Sequence, residues 1–236
     1  MMKKVLVFVL VMLVSVAGIV SAETAAAVSP DAALAKLMEG NAKFNQGNLA
    51  NLIVNSKPAV REGLAAGQHP YAIVLDCSDS RLSPEIIFDK GLGEIFVVRV
   101  AGNIVAPNQL GSIEYAIEHL GASLVMVLGH SKCGAVNATV GALGANCTIP
   151  QAAKEGNIGS LVAAIAPAVE KSCHAGASNL LAASIDENVN LVAENIEANS
   201  AIVKEAIETK KVKVVKARYD LEDGVVKLFA EEEHAH

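Results

Sequence analysis

Three short, almost continuous apolar runs constrain the fold of this chain more than any other feature of its sequence. They read YAIVLDC at residues 71–77, EIFVVRV at residues 94–100 and SLVMVLG at residues 123–129. Runs of this length and branching are typical of strands that are buried on both faces of a parallel sheet. The helical pattern LGSIEYAIEHLG separates the second run from the third, as a crossover between parallel strands requires. The sequence therefore predicts an α/β fold with a mostly parallel β-sheet flanked by helices.

Further patterns predict the elements at the two ends of this fold. Ser29 followed by Pro30 indicates the start of a helix, and the apolar residues after it recur at near-helical spacing. We interpret this segment as an N-terminal helical arm. The second half of the chain is rich in helical patterns, among them a long amphipathic segment over about residues 183–208. The closing stretch KVKVVKARYDLEDGVVKLF predicts a C-terminal edge hairpin that turns at EDG.

The first 22 residues have the layout of a secretory signal peptide. A basic start at Lys3 and Lys4 precedes an apolar run over residues 5–20, and small residues lead to a cleavage site after Ala22. The alternative is a single membrane-anchoring helix, but the run is short for a span of ~20 residues. We therefore expect cleavage after Ala22, no stable membrane anchor afterwards, and a periplasmic or secreted protein.

Residues 23–236 show no internal repeat and no proline-rich linker, so we predict a single catalytic domain. The net charge of the whole chain is −6, and no cluster of lysine and arginine offers a surface for phosphates. This composition argues against a nucleic-acid partner. We interpret the C-terminal EEEHAH as a solvated tail.

Reactive side chains follow two of the predicted strands where each strand ends. The stretch CSDSR supplies Cys77, Asp79 and Arg81, and HSKC supplies His130 and Cys133. Ligands gather beyond the carboxyl ends of parallel strands, and two sulfurs with one imidazole nitrogen suit zinc with one open position. One alternative is a Cys77–Cys133 disulfide, which would leave the other three residues without a role. Another is a structural zinc module without catalytic activity.

The pair CSDSR and HSKCG resembles the Cys-x-Asp-x-Arg and His-x-x-Cys motifs of the β-class carbonic anhydrases. The stretches EGNAKFNQG, DKGLGEIFVVRVAGN and ARYDLEDGVV are also similar to that family, so the resemblance covers essentially all of residues 23–236. It implies a carbonic anhydrase, a lyase with one Zn²⁺ per chain that converts carbon dioxide reversibly to bicarbonate and a proton. Relatives with the same ligands hydrolyse carbon disulfide, and this alternative stays open.

The resemblance also implies a role for each motif residue. Cys77, His130 and Cys133 are expected to bind the zinc ion. Asp79 is expected either to orient the zinc-bound hydroxide or to swing onto the metal as its fourth ligand. Arg81 is expected to hold the Asp79 carboxylate off the metal through a charge-assisted pair. This pair would act as a gate whose closed form grows as the pH falls.

Four further residues complete the predicted site set. Gly102 and Gly134 are expected to contact the substrate. Cys147 and Cys173 match no ligand motif, and in an exported protein they either form a disulfide or remain unpaired. A second bicarbonate site, which some family members build with a tryptophan where this chain has Val74, is not expected.

The same resemblance implies a homodimer or tetramer. In the family the N-terminal helix wraps a partner subunit. In this chain the apolar face of that helix could equally pack on its own sheet.

Overall fold

A five-stranded sheet forms the centre of the computed structural model, which describes residues 28–230. The predicted signal peptide and the EEEHAH tail lie outside the described residues. The strands are β1 (Ala72–Asp76), β2 (Ile95–Arg99), β3 (Leu124–His130), β4 (Lys213–Tyr219) and β5 (Val226–Leu228). Their order is β2-β1-β3-β4-β5, with β1 to β4 parallel and β5 antiparallel to β4. The predicted mostly parallel sheet with a C-terminal edge hairpin is confirmed.

Helices cover both faces of this sheet. They are α1 (Pro30–Asn45), α2 (Ala50–Val54), α3 (Pro58–Gly63), α4 (Pro84–Ile87), α5 (Pro107–Glu118), α6 (Gly134–Gly141), α7 (Gly156–His174), α8 (Leu180–Asn199) and α9 (Ala201–Glu208). Short 3-10 turns lie at Leu64–Ala66, Ala101–Asn103, Ala145–Cys147 and Gln151–Lys154. Within residues 28–230 we find no helix whose length and apolar character would let it cross a membrane.

The two central strands carry the core on both of their faces. Every residue of β1 and β3 is buried. Successive side chains of a strand point to opposite faces, so Val74 packs with α1, α4 and α7, whereas Ile73 packs with α5 and α9. Burial on both faces explains why these strands read as continuous apolar runs and do not alternate with polar residues.

The first helix packs on the sheet of its own chain. Ala33 and Leu37 on α1 are fully buried in the core cluster that also contains Val74. Asn41 ties α1 to the β4–β5 turn, because its side chain donates to the carbonyl of Gly224 and accepts from the backbone N–H of Val226, both at 2.9 Å. By contrast, α2 and α3 contain no buried residue. α1 therefore packs on the sheet of its own chain, and a contact of this helix with a partner subunit stays a prediction.

The amphipathic segment over about residues 183–208 forms two helices, α8 and α9, because the helix is interrupted at Ser200. Ser200 is extended, with φ −124° and ψ 112°. Its hydroxyl oxygen accepts from the backbone N–H of Val203 at 3.1 Å and donates to the Glu114 carboxylate on α5 at 2.6 Å. Serine favours this capping geometry over a helix interior. The break directs α9 onto the face of the sheet that α5 also covers.

Candidate metal centre

The ends of two neighbouring strands bring Cys77 and His130 to the same edge of the sheet. β1 ends at Asp76, directly before Cys77, and β3 ends at His130. Because β1 and β3 are parallel neighbours, their carboxyl ends lie side by side. Cys133 follows three residues after His130 and is the N-cap of α6. The topology therefore brings together the three side chains that the sequence predicts as metal ligands.

The candidate ligand atoms of Cys77, His130 and Cys133 lie within 4.8 Å of one another, and all three residues are buried. Imidazole Nδ1 of His130 is 2.9 Å from the carbonyl oxygen of Ser131. A carbonyl oxygen only accepts, so the proton is on Nδ1 and Nε2 keeps a free lone pair. Nε2 is buried, and no group in residues 28–230 hydrogen-bonds to it. A metal ion would satisfy Nε2, and the Nδ1 contact is the one that metal-binding histidines usually make.

The two cysteines are free thiols that share a hydrogen bond, so the alternative disulfide between them is absent from this structure. The hydrogen bond from the Cys133 thiol is the largest cause of the lowered pKa of Cys77, and the neighbouring His130 imidazole and the Gly102 N–H, 3.3 Å from Sγ, lower it further. The neighbouring Cys77 thiolate in turn raises the pKa of Cys133. The pair therefore favours a thiolate at Cys77, and a divalent cation would favour ionisation of Cys133 as well.

This donor set fits one zinc ion. Zinc takes thiolate sulfur and imidazole nitrogen in tetrahedral sites, and three protein ligands leave the fourth position for water or substrate. The group of Cys77, His130 and Cys133 meets this requirement in number and ligand type. Within the described part of the chain, no other cluster of histidine, cysteine and acidic residues has a comparable arrangement.

A carboxylate and a guanidinium lie beside this group. Asp79 Oδ2 is 3.9 Å from His130 Nε2, at the rim of the ligand cluster. Arg81 donates from Nε to Oδ1 of Asp79 at 2.9 Å and from a terminal nitrogen to Oδ2 at 2.7 Å. These hydrogen bonds from Arg81 hold the pKa of Asp79 well below its usual range. The carboxylate is therefore ionised at neutral pH, with both of its oxygens engaged by Arg81.

The two glycines predicted to contact the substrate have different surroundings. Gly102 donates its N–H to Cys77 Sγ, and its carbonyl accepts from the Asn188 side chain at 2.9 Å. Gly134 is exposed and is the first residue of α6, directly after Cys133. A role for either residue in binding substrate stays a prediction. The structure adds a contact between Gly102 and a candidate ligand sulfur.

Asn188 is a residue of this centre that the sequence analysis missed. It is buried on α8 and supports Gly102, although 86 residues separate the two in sequence. Its helical position shares a stripe with the buried Ile185, Val189 and Val192. The only amide in this mostly apolar stripe, which also contains the buried Ser184, was the available signal, because a buried amide needs a hydrogen-bond partner.

Replacing Gly102 by alanine is expected to lower the free energy of unfolding by about 1–3 kcal/mol. Gly102 has φ +74°, and an added Cβ would lie 2.6 Å from Cδ1 of Ile165. Urea unfolding followed by circular dichroism measures the change. Gly111→Ala is the matched control, because it is helical with no atom within 4 Å of an added Cβ. We expect Gly111→Ala to raise stability by about 0.4–1 kcal/mol. Equal effects of the two substitutions would contradict this reading of Gly102.

The remaining two cysteines, Cys147 and Cys173, are joined by a disulfide, with their Cα atoms 5.6 Å apart. It links the 3-10 turn Ala145–Cys147 to the last turn of α7. Neither cysteine belongs to the candidate ligand group.

Two buried cysteines and one buried histidine lie where two parallel strands end, so the chain is an α/β protein with a candidate zinc site. The family model for carbonic anhydrase matches residues 72–226, and the chain belongs to that family. Carbonic anhydrase 2 of Mycobacterium tuberculosis is 45% identical to it over 141 residues, which cover 60% of this chain. The same alignment covers 65% of the relative's own length, less than two thirds.

Solved structures give the same family and define the class within it. The β-carbonic anhydrase CafA of Aspergillus fumigatus matches with a TM-score of 0.63 and 27% identity, over 86% of this chain and 92% of that one. A tetrameric β-carbonic anhydrase of Sordaria macrospora matches with a TM-score of 0.58 and 27% identity, over 73% of this chain and 86% of that one. The predicted β-class membership is confirmed.

Proposed function

We propose that this chain catalyses the reversible hydration of carbon dioxide to bicarbonate and a proton, at a zinc ion bound by Cys77, His130 and Cys133. The observation that carries the proposal is the buried ligand cluster whose His130 Nε2 lacks a hydrogen-bond partner among the described residues. It occurs in a chain of the carbonic anhydrase family, with an aspartate–arginine pair at its rim.

The three ligands would supply charge and orientation to the metal. Zinc in such a site makes hydroxide available near neutral pH by lowering the pKa of water. Cys77 and Cys133 would contribute two thiolates, which balance the charge of a divalent cation. His130 would contribute a neutral imidazole, oriented through the hydrogen bond from Nδ1 to the carbonyl of Ser131.

Asp79 would act as the acceptor beside this centre. Its ionised carboxylate, 3.9 Å from His130 Nε2, can accept a hydrogen bond from the nucleophile and orient it toward carbon dioxide. Arg81 engages both oxygens of that carboxylate and would keep it from turning onto the metal. Such a gate depends on the competition between Arg81 and the metal for Asp79.

Zinc content and carbon dioxide hydration, measured on the same purified protein, test this proposal. We expect about one zinc per chain and fast hydration. Asp79→Ala should reduce the hydration rate by roughly 10- to 100-fold. The zinc content should stay the same, because Cys77, His130 and Cys133 remain to bind the metal. The rate is measured by stopped-flow with a pH indicator.

Asp220→Ala is the matched control for this substitution. Asp220 also follows a strand and accepts a backbone N–H two residues on, from Glu222 at 2.8 Å, as Asp79 does from Arg81 at 3.0 Å. We expect it to keep the full hydration rate. Stoichiometric zinc without hydration around neutral pH would favour a structural zinc module or carbon disulfide hydrolysis. Absence of zinc from the purified protein would refute the proposal.

Two further proposals concern assembly and location. We propose that the chain forms at least a homodimer, as a dimer or a tetramer. The tetrameric relative of Sordaria macrospora supports this, as does the exposure of Ile53 and Val54 on α2, at 65% and 52%. The molar mass of the same purified sample tests it.

We also propose export, supported by the signal-like layout of residues 1–22, which N-terminal sequencing of the exported protein would test.

A further inference from the structure

Arg99 contacts the backbone of the loop that carries both Cys77 and Asp79. It is the last residue of β2, paired in register with Asp76 on β1. Its Nε donates to the carbonyl oxygen of Cys77 at 3.1 Å. One terminal nitrogen donates to the carbonyl oxygens of Asp79 and Leu82, both at 2.8 Å. A single side chain therefore binds three carbonyls within six residues of the loop.

Only a guanidinium can make this set of contacts. Its donors lie in one plane at fixed angles, whereas a lysine ammonium is a point charge on a flexible chain. These carbonyls follow the end of β1, where the sheet no longer supplies their partners, although the Asp79 carbonyl also accepts from the backbone N–H of Leu82 at 3.0 Å. Backbone carbonyls that leave a sheet need other donors. Arg99 supplies them at the place where the loop departs from β1.

Two other contacts support this position of Arg99. Its Nε lies 3.3 Å from Oδ1 of Asp76, which is fully buried. Neither carboxyl oxygen of Asp76 has a hydrogen-bond partner in the described residues, and the Arg99 guanidinium is the cation beside this buried side chain. The backbone pair Ser78 N–H to Val100 carbonyl, at 3.3 Å, fixes the start of the loop to the residue after Arg99.

We propose that Arg99 is a positioning residue of the metal centre. It holds the loop so that Cys77 Sγ faces His130 and Cys133 and the Asp79 carboxylate lies at their rim. The proposal rests on the function proposed above only in taking these residues as the zinc site. It assigns Arg99 a role through the backbone, without contact to substrate or metal.

The test compares how tightly zinc is bound by the full-length zinc-loaded protein and by its Arg99→Lys variant. Each protein is equilibrated with a chromophoric chelator that competes for zinc. We expect Arg99→Lys to lower the zinc affinity about 10- to 100-fold, because lysine keeps the charge but loses the planar donors. Absorption of the cobalt-substituted protein in its thiolate-to-metal bands should change in the variant as well.

Arg218→Lys is the matched control. Arg218 also lies near the end of a strand. It makes two hydrogen bonds to Asp186, at 2.9 and 2.8 Å, and neither reaches the loop that carries Cys77 and Asp79. We expect Arg218→Lys and Arg99→Lys to lower the melting temperature to a similar extent. Only Arg218→Lys should leave the zinc affinity and the cobalt spectrum unchanged. Arg99→Gln, which offers fewer donors and no charge, should lose at least as much zinc affinity as Arg99→Lys. If Arg99→Lys does not fold, the loss of zinc affinity is tested with Arg99→Gln instead.

Three outcomes would overturn the inference. Wild-type zinc affinity in Arg99→Lys together with a loss in Arg99→Gln would mean that charge suffices. An equal loss of zinc affinity in Arg218→Lys would reduce the effect to general stability. Unchanged affinity in both Arg99 variants would remove the role altogether. If wild-type protein binds zinc but does not hydrate carbon dioxide, the proposed function fails while this comparison remains valid.

Discussion

Replacing Cys77 by alanine is expected to remove stoichiometric zinc and to reduce carbon dioxide hydration by more than ~100-fold. This reduction is larger than the one expected for a residue that only supports a metal ligand. Cys77 is the candidate ligand with the lowered thiol pKa, and two candidate ligands would remain without it. His130 Nε2 and the Cys133 thiol would also lose the group that the structure places beside them. Metal analysis after gel filtration and stopped-flow hydration measure the two effects.

The disulfide cysteines provide the control for this substitution. The double variant Cys147→Ser/Cys173→Ser also removes cysteine sulfur, but from residues outside the candidate ligand group. We expect it to bind zinc as the wild type does at temperatures where it is folded. If Cys77→Ala kept one zinc per chain, the ligand assignment would be wrong.

The same double variant is expected to lower the free energy of unfolding by about 2–4 kcal/mol. The disulfide joins residues 26 apart in sequence, and its loss lets the unfolded chain explore many more conformations. Cys147 also has φ +53°, a backbone conformation that residues with a Cβ rarely adopt. The covalent link to α7 helps to hold that conformation.

Urea unfolding of the variant and of the wild type, with and without reductant, measures this contribution. Reduced wild type should match the double variant, because both lack the covalent link. An unfolding free energy that neither substitution nor reductant changes would contradict the prediction. A loss of zinc in the folded double variant would show that the disulfide also supports the metal centre.

The sheet was predictable from sequence because its signal is local. β1 and β3 are covered on both faces, so apart from Asp76 their residues are apolar or small until the predicted site residues begin. The same logic placed Cys77 and His130 at one edge, since parallel strands end together. The predicted strands, the terminal hairpin and the family are confirmed. The domain boundaries and the roles of individual site residues stay predictions.

Contacts between distant elements could not be predicted in the same way. Arg99 reaches the Cys77 loop across 22 residues, and Asn188 reaches Gly102 across 86. Such contacts depend on the relative placement of β2, α8 and the loop and on the rotamer of each side chain. Neither quantity leaves a periodic trace in the sequence. The break at Ser200 has the same origin, because its hydroxyl bonds to Glu114 on a different helix.

The sequence by itself determined the parallel sheet, the ligand types of the metal centre and the edge at which they collect. It did so because burial on two faces and strand direction follow from short apolar runs and their spacing. Only the tertiary structure decided that Cys147 pairs with Cys173 and that Asn188 supports the Gly102 carbonyl. It also decided which donors hold the ligand loop. These features depend on distances of a few ångströms between elements, which are fixed when the core packs.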